Sequence, residues 1–167
     1  YEDEGDLAKA IEMQQWATSS DSGRKWAWYR LARLYQRAGD NDAAASALQE
    51  ALKLDVKTRE QVISWLIEGL ESADAKRRHL AAEVLLKQRL NALQRIDERC
   101  DIDLKYITHA EYQLFLDDYR TQGRYYQPDY WTDFSFPPNT AKLPVSGIRS
   151  ADAQAFCQWL SQKQGGE

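Results

Sequence analysis

RLYQRAGDNDAAASALQEALKLD, residues 33–55, decides how the chain is read. Gly39-Asp40 separates two runs with helical spacing, and small residues recur after it at Ala44 and Ala51. The pattern belongs to two antiparallel helices joined by a tight turn. They approach closely only where the side chains at the crossing are the size of alanine. Ala32, Ala44 and Ala51 give that clearance, and Trp28, Tyr35 and Leu48 fill the space around them.

Working outward, Gly39, Ala44 and Ala51 have counterparts 34 residues earlier at Gly5, Ala10 and Ala17, and Asp40 matches Asp6. GDLAKAIEMQQWA and GDNDAAASALQEA are thus one helix written twice. Between them KWAWYRLARLYQRA places Trp28, Leu31, Ala32 and Tyr35 at i, i+3, i+4 and i+7, a single apolar stripe. The period and these positions resemble the tetratricopeptide (TPR) repeat. The second helix of one repeat, 3–18, precedes a complete repeat over 25–58, with Val56 where a closing Pro is usual.

The period then fails. Ala73, Arg78 and Leu85 stand where Gly, Ala and Ala would continue it. ISWLIEGLESADAKRRHLAAEVLLKQRL instead predicts helices over 58–72 and 74–92 around a turn at Ser72-Ala73-Asp74. Asp74, Arg78 and Ala81-Ala82 resemble a HEAT-type pair, and a degenerate TPR or a capping hairpin fits equally. Each covers the apolar face of the last repeat.

From Cys100 the grammar changes. Ile102, Leu104 and Tyr106 alternate with polar residues in DIDLKYI, a half-buried strand. Thr108-His109-Ala110-Glu111 spells a capping box. The helix after it carries Tyr112, Phe115, Leu116 and Tyr119 inward. A second helix from Ser150 turns Ala153, Phe156, Cys157 and Leu160 inward. About 25 residues between them lack periodicity, a length that in a compact domain is functional or disordered. They hold all four prolines and a cluster of aromatics from Tyr125 to Phe136, which argues for an ordered covering loop. Tyr126, Tyr130, Trp131 and Phe134 are its candidate ligand contacts.

YITHAEYQLFLDDY and PVSGIRSADAQAFCQWLSQKQGG resemble the opening of a formylglycine-generating-enzyme-like (FGE-sulfatase) domain, a branch of the C-type-lectin-like fold. The matching positions are Ile107-Thr108, Tyr112, Phe115, Pro144-Val145, Ile148, Asp152-Ala153, Phe156-Cys157 and Trp159. The resemblance implies a longer domain whose copper, iron or substrate residues would lie mostly beyond Glu167. Catalysis is therefore not carried over to Cys157. Both ends of the chain, Tyr-Glu-Asp-Glu and Gly-Gly-Glu, read as cut from a larger protein.

The 167 residues are 43% hydrophobic with a mean hydropathy of −0.70, a net charge of −4 and a pI near 5.3. The densest basic run, Lys76-Arg77-Arg78, reads as a solvated helix face, so nucleic acid is not an expected partner. No apolar run approaches the roughly 18 residues of a membrane span, and no signal peptide is visible. Cys100 and Cys157 read as free, buried thiols of a reducing, cytoplasmic compartment. His79 lies on an Arg-rich helix face and His109 reads as a surface residue after an N-cap. Asp101, Asp103, Asp117 and Asp118 read as solvated charges. No metal-ligand spacing, nucleophile elbow or phosphate-cradling glycine loop is present, and neither cofactor nor metal is expected.

TPR geometry points to one partner surface. The first helix of a repeat lines the groove, and its outward residues are Trp26, Tyr29, Arg33, Gln36 and Arg37. Arg33 and Arg37, spaced i, i+4, share a face and with Tyr29 suit an acidic peptide. A solvated basic stripe is the plainer alternative. The expected fold is mainly α: TPR-like repeats over 1–56, a HEAT-like or degenerate TPR pair over 57–95, and a truncated α+β FGE/C-type-lectin-like portion over 100–167. The expected function is a non-catalytic recognition segment of a larger signalling or defence protein, with a protein or peptide partner. The alternatives are a fragment of a formylglycine-generating or nonheme-iron sulfoxide-synthase-like enzyme, and a TPR peptide-binding scaffold.

Overall fold

The computed structural model describes residues 4–19, 24–98 and 100–165, with the side chains of 4–5 and 24–25 left aside. The extreme residues behind the reading of cut ends, 1–3 and 166–167, lie outside that description. Seven helices and a two-stranded sheet are described, in the order α1 (Glu4–Ser19), α2 (Arg24–Ala38), α3 (Asn41–Leu52), α4 (Val56–Leu70), α5 (Ala75–Asn91), β1 (Gln94–Asp97), β2 (Cys100–Ile102), α6 (His109–Arg120) and α7 (Ser150–Lys163). They form two compact units, Tyr1–Val84 and Leu85–Glu167.

In the first unit the Gly39-Asp40 turn forms as the sequence requires. Gly39 takes a left-handed φ of +81° that glycine adopts without strain. Asp40 caps α3 by accepting the Ala43 amide at 3.0 Å. α2 and α3 pack closely, and Ala32, Ala44 and Ala51 have no exposed surface. α1 is tied to α2 by Gln14, which donates to the Ala27 carbonyl, and by Gln15, which donates to the Tyr35 hydroxyl. α4 begins two residues before its predicted start. Asp55 is its N-cap, accepting from the Thr58 amide and hydroxyl, a signal the apolar periodicity does not carry. Between α4 and α5, Arg78 donates to the carbonyls of Ser72 and Ala73, and Asp74 accepts from the Lys76 amide. Arg78 thus satisfies carbonyls of the turn between the two helices. The two helices touch where Gly69 faces Ala81; a Cβ on Gly69 would stand 3.0 Å from that of Ala81.

In the second unit the capping box forms in full. Thr108 accepts the Glu111 amide, and Glu111 accepts from the Thr108 amide and hydroxyl. The loop completes the cap, since the His109 and Ala110 amides donate to the carbonyls of Leu143 and Ala141. α6 packs on α7 through Tyr112 and Phe115 against Phe156, and Phe115 also meets the ring of Trp159. The inward face of α7 is therefore Asp152, Phe156 and Trp159, at i, i+4 and i+7. The expected face was displaced by one position: Ala153 and Cys157 are exposed and Leu160 is half-buried. Both thiols are free and exposed, not buried.

The strand expected across 101–107 is shorter and differently partnered. β2 ends at Ile102 and pairs antiparallel with β1, an element the alternation did not reveal. Ile102, Leu104 and Tyr106 are all exposed. What organises 103–106 is Arg89, which clasps both oxygens of Glu111 (2.7 and 2.9 Å) and reaches Asp103 at 2.5 Å and the carbonyls of Lys105 and Tyr106 at 3.0 Å. Asp101 is paired with Arg95, and Asp118 accepts from the Trp159 indole and from Lys163. The four aspartates read as solvated are thus structural, Asp117 included, since it accepts from Gln113.

Candidate functional site

α2 reads RKWAWYRLARLYQRA: five basic residues and no carboxylate. Its outward stripe runs through Trp26, Tyr29, Arg30, Arg33 and Arg37, spaced i, i+3, i+4, i+7 and i+11 on one helical face. Trp26 is 38% exposed, Tyr29 is half-buried, and the three arginines are exposed. Gln36 is half-buried and stands beside the stripe.

The structure extends this stripe across neighbouring helices. The Trp26 ring meets Tyr29 edge-on at 6.5 Å, and Tyr29 meets Trp65 of α4 edge-on at 6.2 Å. Arg33 lies over the Tyr29 ring at 5.9 Å, and Arg77 of α5 lies over Trp65 at 5.1 Å. Five side chains from three helices therefore form one ladder of three rings in succession, with a guanidinium group over the second and another over the third. Each cation is held by the ring quadrupole, and Arg77 Nε is buried with no hydrogen-bond partner among the described residues. Trp65 and Arg77 were missed as site residues. Trp65 sits in ISWLI, four apolar residues in five, more than one buried face needs; that excess was the available signal. Arg77 was read with Lys76 and Arg78 as a solvated face. It is instead half-buried against a ring.

The loop candidates divide. Trp131 is 4% exposed, and Tyr126 stacks on Phe115 at 5.1 Å while its carbonyl accepts from the Tyr112 hydroxyl. Trp131 belongs to the core, and half-buried Tyr126 packs against it through Phe115. Phe134 and Tyr130 remain exposed at 57% and 45%. Phe134 pairs with exposed Tyr125 at 6.0 Å under the Arg120 guanidinium. Gln113 fixes this part of the loop, donating to the Phe134 carbonyl and accepting from the Phe136 amide.

His109 is the largest correction. Expected on the surface, it is buried, with Nδ1 2.9 Å from Thr140 Oγ1 and Nε2 2.9 Å from the Tyr130 hydroxyl. Desolvation lowers its pKa, opposed by the carbonyls of Thr140 and Pro144. Burial pushes the Tyr112 phenol far above its ordinary value, and the charge of Asp152 adds to the shift. Among the described residues no group of three or more His, Cys, Asp or Glu could hold a metal ion, and no helix is long and apolar enough to cross a membrane.

Residues 1–63 match the tetratricopeptide repeat family. A search of curated proteins and a search of solved structures each found no match.

Proposed function

We propose that the chain is a non-catalytic interaction scaffold whose helical repeats hold an acidic protein or peptide segment against α2. The observation that carries this is the composition of α2, five basic residues and no acidic one, in a chain of net charge −4. Tyr29 gives Arg33 a fixed position, and Trp65 does the same for Arg77 of α5. Charge-assisted hydrogen bonds from Arg33 and stacking on Tyr29 then supply orientation as well as attraction. The repeat family matched by residues 1–63 generally serves protein–protein contacts, which supports the same reading.

Residues 57–95 would act as the HEAT-like or degenerate TPR pair that closes the repeats. Residues 100–167 would form the N-terminal part of an FGE-like, lectin-like recognition domain. What supports the latter is that five of the positions carrying the resemblance, Tyr112, Phe115, Asp152, Phe156 and Trp159, are buried in the second unit, while Pro144, Ala153 and Cys157 of the same set are exposed. Free thiols at Cys100 and Cys157 support a reducing, cytoplasmic setting.

The experiment is a fluorescence-anisotropy titration of a labelled Glu/Leu peptide against the wild type and an Arg33→Ala, Arg37→Ala double variant, at low and high salt. Weaker binding with a flatter salt dependence in the variant is expected. Coincident curves would leave α2 as a solvated basic stripe.

A further inference from the structure

The loop between α6 and α7 wraps the start of α6, and its innermost polar contact is His109, 4% exposed. The protons in this contact can be assigned. Thr140 donates its own hydroxyl proton to the Pro137 carbonyl at 2.6 Å, so its oxygen accepts from Nδ1–H of His109. A neutral imidazole carries one N–H, which leaves Nε2 as an acceptor and makes the Tyr130 hydroxyl the donor. Each end of the ring thus pins a different part of the loop. The aromatic packing is continuous: Trp131 meets the imidazole edge-on at 5.3 Å, and Phe136 lies at 6.4 Å. The Tyr130 ring is seated on Gly147, where a Cβ would stand 3.0 Å from it. Trp131 Nε1, in the same cluster, has no hydrogen-bond partner among the described residues. The closed loop therefore keeps one polar group unsatisfied.

We propose that His109 is a proton-operated latch: its neutral ring holds Tyr130 and Thr140 closed over α6, and its protonation releases the loop. Protonation puts a hydrogen on Nε2, so the Tyr130 hydroxyl loses the acceptor it donates to, and it places a positive charge in a buried position at the first residue of α6, the positive end of the helix dipole. Among the described residues no carboxylate is paired with the ring. Tyr130 is the titratable group touching the ring; Asp129 beside it is paired with Arg149, Glu111 on the same helix is held by Arg89, and Asp152 of α7 acts on Tyr112. The sign follows from the depressed pKa of His109. Closure is fully present above the ordinary histidine value near 6.5 and is lost as pH falls through the lower value of the closed state.

The test is amide hydrogen exchange on the full chain, normalised for intrinsic rates, at about pH 7.5 and about pH 5.5, both above the ordinary carboxylate range. The reporters are the amides of His109, Ala110, Trp131, Leu143 and Val145, which bond carbonyls within or onto the loop. Wild-type protection should fall in acid at these five while the interiors of α6 and α7 keep theirs. His109→Gln should show the same protection at both pH values. Should that variant not fold, Tyr130→Phe decides: it should lose at pH 7.5 the protection the wild type loses only in acid. Wild-type protection independent of pH, an acid loss that survives in His109→Gln, a loss spread evenly through α6 and α7, or wild-type protection in Tyr130→Phe at neutral pH would each overturn the latch.

Discussion

Replacing Ala44 by leucine probes the close approach of α2 and α3. Ala32, Ala44 and Ala51 have no exposed surface, so three added carbons on residue 44 cannot turn outward. Had the site held a void, the burial of each methylene would stabilise by about 0.8 kcal/mol. In a filled crossing the larger side chain forces its neighbours off their rotamers, at a cost of about 1–3 kcal/mol. The steric term wins because both helices are fixed, α3 by its Asp40 cap and α2 by its ties to α1. With a urea slope of about 2 kcal/mol/M, the midpoint should fall by roughly 0.5–1.5 M at unchanged slope. Ser46→Leu, on the exposed side of the same helix, should change stability by no more than about 0.5 kcal/mol. Urea melts followed by circular dichroism measure both. An Ala44→Leu protein with the wild-type midpoint would refute the alanine crossing and the repeat register built on it.

Three further outcomes are expected. Arg89→Ala should cost about 3–5 kcal/mol, because it strands Glu111 in a nearly water-free position; combining it with Glu111→Gln should recover part of the loss in a double-mutant cycle. Thr108→Ala should destabilise by about 0.5–2 kcal/mol and Thr108→Ser by much less, since serine keeps the oxygen that caps α6. The phenol of Tyr112 has its pKa raised by burial and by Asp152, so the stability it contributes is complete below about pH 10 and is lost as pH rises beyond. Denaturant melts across that range should show the decline, and Tyr112→Phe should remove it.

The repeats were legible because helix packing is written in local period. Gly39, Asp40, Ala44 and Ala51 each answer to a constraint within a few residues, and α1 to α3 fall close to where the spacing put them. The Thr108 capping box was legible for the same reason. Contacts set by the tertiary fold were not. His109 follows an N-cap and reads as exposed, yet Thr140 and Tyr130 close over it from a distant part of the chain. Alternation in 101–107 reads as a strand, but the Arg89 clasp holds 103–106 in a bent course and leaves Leu104 and Tyr106 in water. The one-position error on α7 has a similar cause. Cys157 is the more apolar choice by type, while Trp159 is drawn inward by its bond to Asp118 and its ring contact with Phe115 on α6. For the partner surface, the α2 residues were readable from the helical face alone. Trp65 and Arg77 required knowing that α4 and α5 lie beside it.

The claim that the chain binds partners through its repeats is tested most directly by locating a bound segment. Titrating the full chain with the unlabelled Glu/Leu peptide, and following backbone and indole signals by two-dimensional NMR, reports position without any mutation. The ladder predicts saturable shifts at Trp26, Tyr29, Arg33, Trp65 and Arg77, with the core positions Ala44 and Leu48 unmoved. Shifts confined to residues 100–165, or none at peptide concentrations that saturate the anisotropy signal, would contradict the account.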